Sequence, residues 1–461
     1  MITKNEIEER STAFEVHTSN VQRDYVFGWF LVGLYSESIL KELLFLKGGN
    51  ALRKCYFENT RFSADLDFGI ETDIDKEVLE AEIGKICDFI QSSTGVVFEK
   101  ERNKINEKFR AQDKLKVFEA KVYFKDFYGN ADHITISIQI DITRFDNVYL
   151  PLQTRLLIHP YSDYGQANVH IQCMKLEEIL GTKLKCLLQR QHSPDLYDYV
   201  YSLFVNNLIE INKAEIVTTF LKKTIFEPSP GIVKNLLLGL PLEFFRHFWN
   251  KVVCPRQSIV DFNVALTNFR QNIIELFGVY PDDSYAHTYF PAESRNVIIE
   301  AGRNCTLLEV VYDGVKRLVE PYSLVYKQPQ GQLAREYLYV HDRSGGGKSG
   351  TVGIKSFVHE KIASIKNTGE VFEPRYTIEL SKAGEYTEKS YFGKPFSERL
   401  RQARSLRRRS TYRSQIRYVF QCISCNRRFT KTRMNGKLGK HKDKYGNQCF
   451  GRAGYYVATN Y

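Results

Sequence analysis

The hydrophobic pattern of the first 280 residues or so predicts a mixed sheet followed by a helical half. Apolar residues recur every three or four positions in three stretches, at 21–46, 73–94 and 176–190. This spacing is typical of amphipathic helices, and further helices are expected within 196–280. Strands are predicted where apolar residues alternate with polar ones or form a short run, at 66–70, 116–124 and 134–143.

The pattern changes near Asn296, where short apolar stretches separated by Gly-containing turns begin. Evenly spaced short strands of this kind predict a small β barrel. The glycine-rich segment 344–350 lies between two such strands and does not open a helix. We therefore interpret it as a hairpin turn and not as a phosphate-binding loop.

Charge is distributed unevenly along the chain of 461 residues, a length that suggests about three domains. Residues 394–461 contain 18 Lys or Arg against two acidic residues, a balance of +16. The whole chain carries +11, which leaves −5 for the other 393 residues. Such asymmetry predicts a polyanion-binding tail with nucleic acid as partner. The alternative is a solvated terminus whose charges repel one another.

Neither a membrane segment nor a secretion signal is expected. No apolar run approaches the ~20 residues that cross a bilayer, and the start MITKNEIEER lacks the apolar part of a signal peptide. The protein is therefore expected in the cytoplasm. Six cysteines stand alone in apolar surroundings and are interpreted as buried free thiols: Cys55, Cys87, Cys173, Cys186, Cys254 and Cys305.

The other three cysteines cluster with a histidine near the end of the chain. Cys422 and Cys425 form a Cys-x-x-Cys pair, and His441 and Cys449 follow after fifteen and seven residues. This spacing is typical of a structural zinc site, in which four protein ligands leave no open position. The alternative is an incidental cysteine pair beside a surface histidine. Cations and rings that suit RNA or DNA contacts surround the cluster: Arg407, Arg408, Arg409, Arg413, Arg417, Arg427, Arg428, Lys431 and Arg433, with Tyr412, Tyr418 and Phe429.

Two acidic residues on one predicted strand give the sharpest chemical signal. Asp65 and Asp67 are two positions apart, so their side chains project from the same side of the strand. Carboxylates tolerate this proximity when a cation lies between them, and their oxygens suit Mg²⁺ bound with substrate phosphates. Asp141 closes the alternating run ISIQID and is the candidate third ligand of a site for two metal ions. The alternative is an ordinary solvated strand pattern.

The glycine-containing segment before this strand has the features of an anion-binding site. It also resembles a known family. Two glycines, Gly48 and Gly49, lead into a short helix, where backbone N–H groups are able to approach an anion. The run FLKGGNALRKCYFENTRFSADLDFGI closely resembles the AbiEii/AbiGii nucleotidyltransferase toxins, whose pattern is Lys-Gly-Gly-Thr, a short helix, then Arg-x-Ser-x-Asp-x-Asp. Residues 176–201 resemble the same family in a Glu-Glu-Ile helix with a lysine and a following Asp-x-x-Asp turn.

The resemblance implies a polymerase-β-type fold and transfer of a nucleotide from an NTP. Carried over by position, the implied catalytic residues are Asp65, Asp67, Asp141, Lys183 and Asp195, with Mg²⁺ at the first two. The residues implied to bind the nucleotide are Lys47, Gly48, Gly49, Asn50, Arg61 and Ser63. The chain departs from the family pattern at Asn50, where Thr or Ser is usual, and at Pro194, where Arg is frequent.

The same resemblance implies a toxin of a toxin–antitoxin or phage-defence system. The implied acceptor is RNA, with the 3′ end of tRNA favoured, and the implied partner is a winged-helix antitoxin. Two other functions also fit the residues. One is a regulator in which a degenerate transferase scaffold carries nucleic-acid-binding modules, and the other is a nucleotidyltransferase that modifies Ser or Tyr hydroxyls of proteins.

Residues 300–380 resemble a WYL domain, an Sm-like β barrel found in bacterial regulators and defence proteins. VKRLVEPYSLVYK is similar to its Glu-Pro strand and REYLYVHD to its Trp-Tyr-Leu segment, with Glu336 in place of the tryptophan. A nucleic-acid or nucleotide-like ligand is implied, and Lys355, His359 and Lys361 are candidate contacts. The alternative is that these three are outward-facing charges of the barrel.

The sequence as a whole predicts an α+β multidomain protein. Its expected parts are a nucleotidyltransferase domain with a mixed sheet and a helical half, a helical extension, a WYL-like Sm-type β barrel, and a basic zinc-ribbon-like tail. The predicted boundaries are 1–225, 226–290, 291–393 and 394–461.

Overall fold

The structure is a computed structural model that divides into two compact units, residues 1–392 and 393–461. It describes residues 2–110, 115–127, 135–143, 147–189, 192–206, 209–281, 288–327, 334–346, 350–376, 378, 380, 417–422, 424–425, 427–431, 435–442, 448–449 and 451–460. None of the helices among these residues is both long enough and apolar enough to cross a membrane.

A seven-stranded mixed sheet forms the centre of the first unit. Its strands are β1 Leu44–Lys47, β2 Asp65–Ile70, β3 Lys104–Arg110, β4 Leu115–Lys125, β5 Thr135–Thr143, β6 Gln153–Leu156 and β7 His170–Cys173. They lie in the order β3-β4-β5-β2-β1-β7-β6. β2 runs parallel to β5 and β1 parallel to β7, while the other neighbours are antiparallel.

Ten helices of this unit flank the sheet or follow it along the chain. They are α1 Lys4–Phe14, α2 Thr18–Glu37, α3 Gly48–Ala51, α4 Lys76–Thr94, α5 Leu176–Gln189, α6 Ser193–Val200, α7 Lys213–Lys222, α8 Gly231–Leu238, α9 Arg246–Trp249 and α10 Phe262–Phe277. α2 and α4 share one core with the apolar side chains of β4 and β5, because alternate residues such as Val122 and Ile140 point to that face. The other face of these strands carries polar side chains.

The helices and strands predicted over residues 66–190 are confirmed, and the helical half continues through α6 to α10. Four strands of this sheet were not predicted, among them β3, whose residues KINEKFR include only two apolar positions. β1 lies where a connector was expected after α2, and β6 and β7 have four residues each. Strands this short give too few alternating positions for a pattern to be recognised.

A five-stranded antiparallel sheet with its own core follows α11 Ala292–Asn304. Its strands are β8 Thr306–Tyr312, β9 Val315–Lys327, β10 Arg335–Asp342, β11 Gly353–Phe357 and β12 Ile362–Val371, in the order β11-β10-β9-β8-β12. The glycine-rich segment joins β10 to the antiparallel β11, which confirms the predicted hairpin. Closure of this sheet into an Sm-like barrel stays a prediction.

Glu336, which replaces the tryptophan of the WYL pattern, is buried in this sheet. Its carboxylate oxygens lie 2.5 and 2.6 Å from Nη2 of Arg295 and accept a hydrogen bond from the backbone N–H of Phe290 at 3.0 Å. A buried ion pair therefore joins α11 to β10.

The second unit contains short strands around a small core of Phe420 and Leu438. The strands are β13 Arg417–Cys422, β14 Arg428–Lys431, β15 His441–Lys442, β16 Gln448–Cys449 and β17 Gly454–Asn460. Of the predicted nucleic-acid contacts, Arg427 and Arg428 are exposed and Arg417 begins β13. The others, with two of the neighbouring residues, lie outside the described residues: Arg407, Arg408, Arg409, Arg413, Arg433 and Tyr412.

Candidate functional site

Strand pairing places four charged residues in one row across the central sheet. Lys47 of β1 is opposite Asp67 of β2, which is opposite Asp141 of β5, which is opposite Glu119 of β4. Residues directly opposite each other on neighbouring strands point to the same face. The row therefore lies on the polar face, away from α2 and α4.

Asp65, Asp67 and Asp141 form a carboxylate cluster on this face. One oxygen from each lies within 4.8 Å of the others. Ser63 Oγ donates to Asp65 at 3.2 Å, and Gln139 Nε2 donates to both oxygens of Asp141 at 3.1 and 3.2 Å. Burial, followed by the charge of Asp65, raises the pKa of Asp67 to about 7.

The pKa of Asp67 shows that ionising the whole cluster without a counter-charge is costly. A divalent cation would supply that charge, and three carboxylates with further oxygen donors are the ligand set that Mg²⁺ prefers. The residues present therefore fit the metal that the sequence predicts.

The glycine turn between β1 and α3 lies against this cluster. Gly48 has a φ of +69°, and a Cβ placed on it would come 2.3 Å from Oδ2 of Asp67. A Cβ on Gly49 would come 2.6 Å from Nη2 of Arg61 and 2.8 Å from Oγ of Ser63. No other residue type fits here without displacing its neighbours, so the glycines bring the backbone next to the carboxylates and Arg61.

Asn50 and Lys47 connect the turn to the neighbouring strands. Asn50 is fully buried, and its Nδ2 donates to the backbone carbonyl oxygen of Asp65 at 2.5 Å. Its Oδ1 has no hydrogen-bond partner in the part of the chain that the structure describes. Lys47 Nζ donates to Oγ1 of Thr143 at 2.7 Å. Asn50 thus holds the start of α3 against β2, and its predicted nucleotide contact stays a prediction.

A second cluster links this turn to the helical half. Lys183 Nζ of α5 lies 3.0 Å from Oδ1 of Asp195 and 2.7 Å from Oδ2 of Asp198, both on α6. Arg61 binds Asp198 through two hydrogen bonds, with Nε at 2.6 Å and Nη2 at 2.8 Å. Two cations and two carboxylates therefore share one buried, neutral network.

The charges of this network stabilise one another in their ionised forms. Burial opposes the charge of Lys183, but Asp198 and Asp195 outweigh it and raise the pKa of the ammonium group. Burial also opposes ionisation of Asp198, but Arg61 and Lys183 lower its pKa below the usual range. Lys183 additionally helps to lower the pKa of Asp67, which couples the network to the carboxylate cluster.

Asp198, in the Lys183 network, and Glu119, in the row of charged residues, were not among the predicted site residues. Asp195 and Asp198 are three positions apart on α6, the spacing that places two side chains on one helix face. That spacing was the available signal for Asp198. For Glu119 the signal was the alternation of VFEAKVYF, which separates its side chain from the buried apolar ones.

The four predicted zinc ligands also come together. Cys422, Cys425, His441 and Cys449 each have a ligand atom within 4.8 Å of the others. Sγ of Cys425 lies 3.3 Å from Nε2 of His441, and Sγ of Cys422 lies 3.8 Å from Sγ of Cys449. Although burial acts in the opposite direction, the backbone N–H groups of Ser424 and Cys425 lower the pKa of Cys422 to about 6.

A thiol that ionises readily beside two more thiols and an imidazole suits a tetrahedral zinc ion. The Nδ1 atom of His441 lies 2.9 Å from the carbonyl oxygen of Gly439. This contact leaves Nε2 facing the cysteines, as is usual for a histidine that binds metal.

Comparison with known families gives a match to part of the first unit. Residues 29–246 match the sequence model of a family described as nucleotidyl transferase AbiEii toxin, type IV toxin–antitoxin system. The protein is a nucleotidyltransferase. The match covers under half of the chain but includes the carboxylate cluster, the glycine turn and the Lys183 network. The five-stranded sheet and the Cys/His unit of the nucleotidyltransferase lie outside it.

Among solved structures, the nucleotidyltransferase is similar to that of MenT4, a nucleotidyltransferase toxin from Mycobacterium tuberculosis H37Rv. The two chains are 16% identical, with a TM-score of 0.36, and the aligned part covers 59% of this chain and 86% of MenT4. None of the curated proteins matches the chain. The assignment therefore depends on the family match.

Proposed function

We propose that this nucleotidyltransferase is a Mg²⁺-dependent toxin that transfers a nucleotide from an NTP to an RNA acceptor, with the 3′ end of tRNA favoured. The observation that carries the proposal is the carboxylate cluster of Asp65, Asp67 and Asp141 beside the Gly48–Gly49 turn. Acidic side chains beside the backbone N–H groups of a glycine turn suit the metal ions and the phosphates of a metal-bound triphosphate.

The proposed reaction is a displacement at the α-phosphorus of the NTP. A hydroxyl oxygen of the acceptor forms a new bond to this phosphorus, and the bond to the oxygen bridging the α- and β-phosphates breaks, so that pyrophosphate leaves. The hydroxyl proton passes to a carboxylate of the cluster. Two bound Mg²⁺ ions would polarise the phosphate oxygens and neutralise the charge of the leaving group.

The residues around the cluster have separate roles in this proposal. The Gly48–Gly49 backbone, Ser63 and Lys47 hold the phosphates, and Arg61 lies close enough to Gly49 to approach them as well. Lys183 contributes positive charge from its network with Asp195 and Asp198. These three network residues position the α5–α6 corner against the glycine turn.

The remaining modules are proposed to serve the acceptor and the regulation of the enzyme. The Cys/His cluster would bind one structural Zn²⁺, and the basic segment around it would contact RNA. The five-stranded sheet would act as a WYL-like domain. In the toxin–antitoxin setting of the matched family, an antitoxin of winged-helix type would be the partner.

Label transfer tests the proposal directly. The purified protein is incubated with each α-labelled NTP, Mg²⁺ and total cellular RNA, in parallel with Asp65→Ala and Asp67→Ala. We expect label on RNA, and a loss of at least about a thousandfold in both variants because each removes a metal ligand. Glu71→Ala, which removes an exposed acid just after β2, is the matched control and should keep full activity.

The outcomes separate this function from the two others that fit the sequence. Label on protein instead of RNA would make the enzyme a protein-modifying nucleotidyltransferase. Tight RNA binding without any label transfer would favour the regulator with a degenerate transferase scaffold. Equal activity of the wild type and the Asp variants would contradict the assignment of the catalytic carboxylates.

A further inference from the structure

We infer that the open polar face of β3, β4 and β5 binds the acceptor strand of RNA next to the carboxylate cluster. The inference rests on the proposed function and adds the place and the direction from which the acceptor enters. We call this surface the acceptor face and define it by Lys104, Lys121, Tyr123, Lys125 and Gln139, with Arg102 at its edge.

The acceptor face is the side of β3, β4 and β5 opposite the side that packs into the core. Phe118, Ala120 and Val122 of β4 point into the core, so the residues that alternate with them point the other way. Lys104 and Gln139 are exposed, and Lys121, Tyr123 and Lys125 are partly exposed. These side chains are therefore accessible along β5, β4 and β3, the three strands that lie on one side of β2.

Strand register connects the acceptor face directly to the cluster. Asp65 is opposite Gln139, Gln139 is opposite Lys121, and Lys121 is opposite Lys104. At the usual spacing between strands, Lys121 and Lys104 lie roughly 10 and 14 Å from Asp65. An RNA strand that lies along this row, from Lys104 towards Asp65, would have its end at the carboxylates.

The charges change sign along the face. The only acidic side chains that the register places on the described part of it are Asp141 and Glu119, which belong to the row of the cluster. Beyond that row, towards the end of β4, come Lys121 and Lys125. A cationic strip that leads away from a metal-binding cluster suits a polyanion whose end must reach the metals.

An aromatic and cationic surface lies at the far side of the strip. The guanidinium of Arg102, which also forms an ion pair with Glu99, lies 4.8 Å from the centre of the Tyr123 ring, and the ammonium of Lys121 lies 5.7 Å from the same ring. Bases of single-stranded RNA stack on rings and on guanidinium planes. Such stacking favours RNA over an acidic protein segment as the occupant of this face.

The geometry of displacement at phosphorus independently selects this side of the cluster. The attacking oxygen and the leaving pyrophosphate must lie roughly in line on opposite sides of the α-phosphorus. The glycine turn, Arg61 and Ser63, which are proposed to hold the leaving phosphates, lie on the β1 side of the cluster. The acceptor hydroxyl must therefore enter from the other side, where β5, β4 and β3 follow.

Charge reversal on the face tests the inference. Lys104→Glu/Lys121→Glu is compared with the wild type on a short synthetic single-stranded RNA with a free 3′ hydroxyl. We expect KM for this RNA to rise roughly tenfold or more, with an unchanged Kd for the NTP. Lys41→Glu/Lys251→Glu, which reverses two exposed cations elsewhere, is the matched control and should leave both constants unchanged.

A milder variant keeps the test independent of folding. Lys104→Gln/Lys121→Gln removes the two charges without adding acid, and its RNA affinity should depend less on salt, with a log–log slope smaller by about 1.4. An unchanged KM and slope in these variants, while label still reaches RNA, would overturn the acceptor face and leave the transferase function intact. If the wild type labels no RNA, the proposed function fails, and RNA binding by the same variants still decides whether this face is an RNA site.

Discussion

At the scale of single residues, the charge of Asp67 depends on what the site holds. Burial and Asp65 raise its pKa from 3.8 to about 7, and Lys47 and Lys183 offset only part of that rise. A carboxylate in this state is stable either when it is protonated or when a cation lies beside it. The geometry that serves a metal therefore destabilises the metal-free protein.

Asp67→Asn should consequently stabilise the metal-free protein at neutral and higher pH. Between the ordinary pKa of 3.8 and the folded value of about 7, the folded wild type holds a proton that the unfolded chain has released. The free energy of unfolding of the wild type should thus fall as pH rises through this window and stay low above it. The amide of the variant does not ionise, so this part of the pH dependence should be absent from it.

Thermal unfolding in EDTA, measured at several pH values, checks this expectation. At pH 8 the variant should melt several degrees higher than the wild type, and added Mg²⁺ should raise the Tm of the wild type alone. Glu71→Gln is the control, because it changes an exposed acid near the same strand. A variant that melts lower than the wild type at pH 8 in EDTA would show that repulsion within the cluster is not the dominant effect.

The sequence predicted part of the site because some of it is local. Asp65 and Asp67 share one strand, and Gly48 and Gly49 are neighbours in one turn. The position of the two residues within each pair therefore depends on sequence spacing alone. The pairing of Asp198 with Arg61 joins residues 137 positions apart, and the local pattern of apolar and polar residues does not predict such a contact. Likewise, Glu119 reaches the row only through the register of β4 on β5, which the alternation of either strand leaves open.

At the scale of elements, the predicted helices and strands were found, but the strands β1, β3, β6 and β7 were not predicted. β1 is nevertheless central, since it lies between β2 and β7 and places Lys47 beside Asp67. A short 3₁₀ turn, Ile39–Glu42, separates it from α2, and its four residues give too few alternating positions for a strand pattern. Tertiary pairing, which a local pattern does not contain, fixes this strand.

The second unit gives the clearest element-scale prediction. Its strands enclose only a few apolar side chains, and two of those described as buried are the ligand candidates Cys422 and Cys449. Such a small core needs a metal to hold the elements together. We expect one Zn²⁺ per chain, measured by metal analysis of the purified protein, and loss of most of it in Cys425→Ser.

Hydrogen exchange shows whether this metal is structural. Chelation and Cys425→Ser should both raise exchange in residues 417–460 while the seven-stranded sheet stays protected. Cys305→Ser is the matched control, because Cys305 is also partly exposed and is not part of the cluster. A zinc-free protein with full protection of residues 417–460 would contradict a structural metal.

At the scale of the whole molecule, the chain separates its charges. Residues 394–461 carry +16, whereas the other 393 residues carry −5 and contain the carboxylate cluster. Under the proposed function, the tail would attract the polyanionic acceptor most strongly, while the carboxylate cluster would perform the chemistry. Sequence alone supports this division, because it depends on composition and not on contacts.

The division predicts distinct defects for tail variants and for active-site variants. Replacing Arg407, Arg408 and Arg409 together by Gln should weaken RNA binding for all sequences alike and reduce the log–log salt slope by about 2, since three phosphate contacts are removed. The Kd for the NTP and the transfer rate at saturating RNA should not change.

Replacement of the same three residues by Lys keeps the charge and should preserve most of the affinity. RNA affinity and salt slope measured by fluorescence anisotropy at several salt concentrations decide between these expectations. If the Gln variant binds RNA as the wild type does, the charge of the tail is merely solvated and the acceptor is held elsewhere in the molecule.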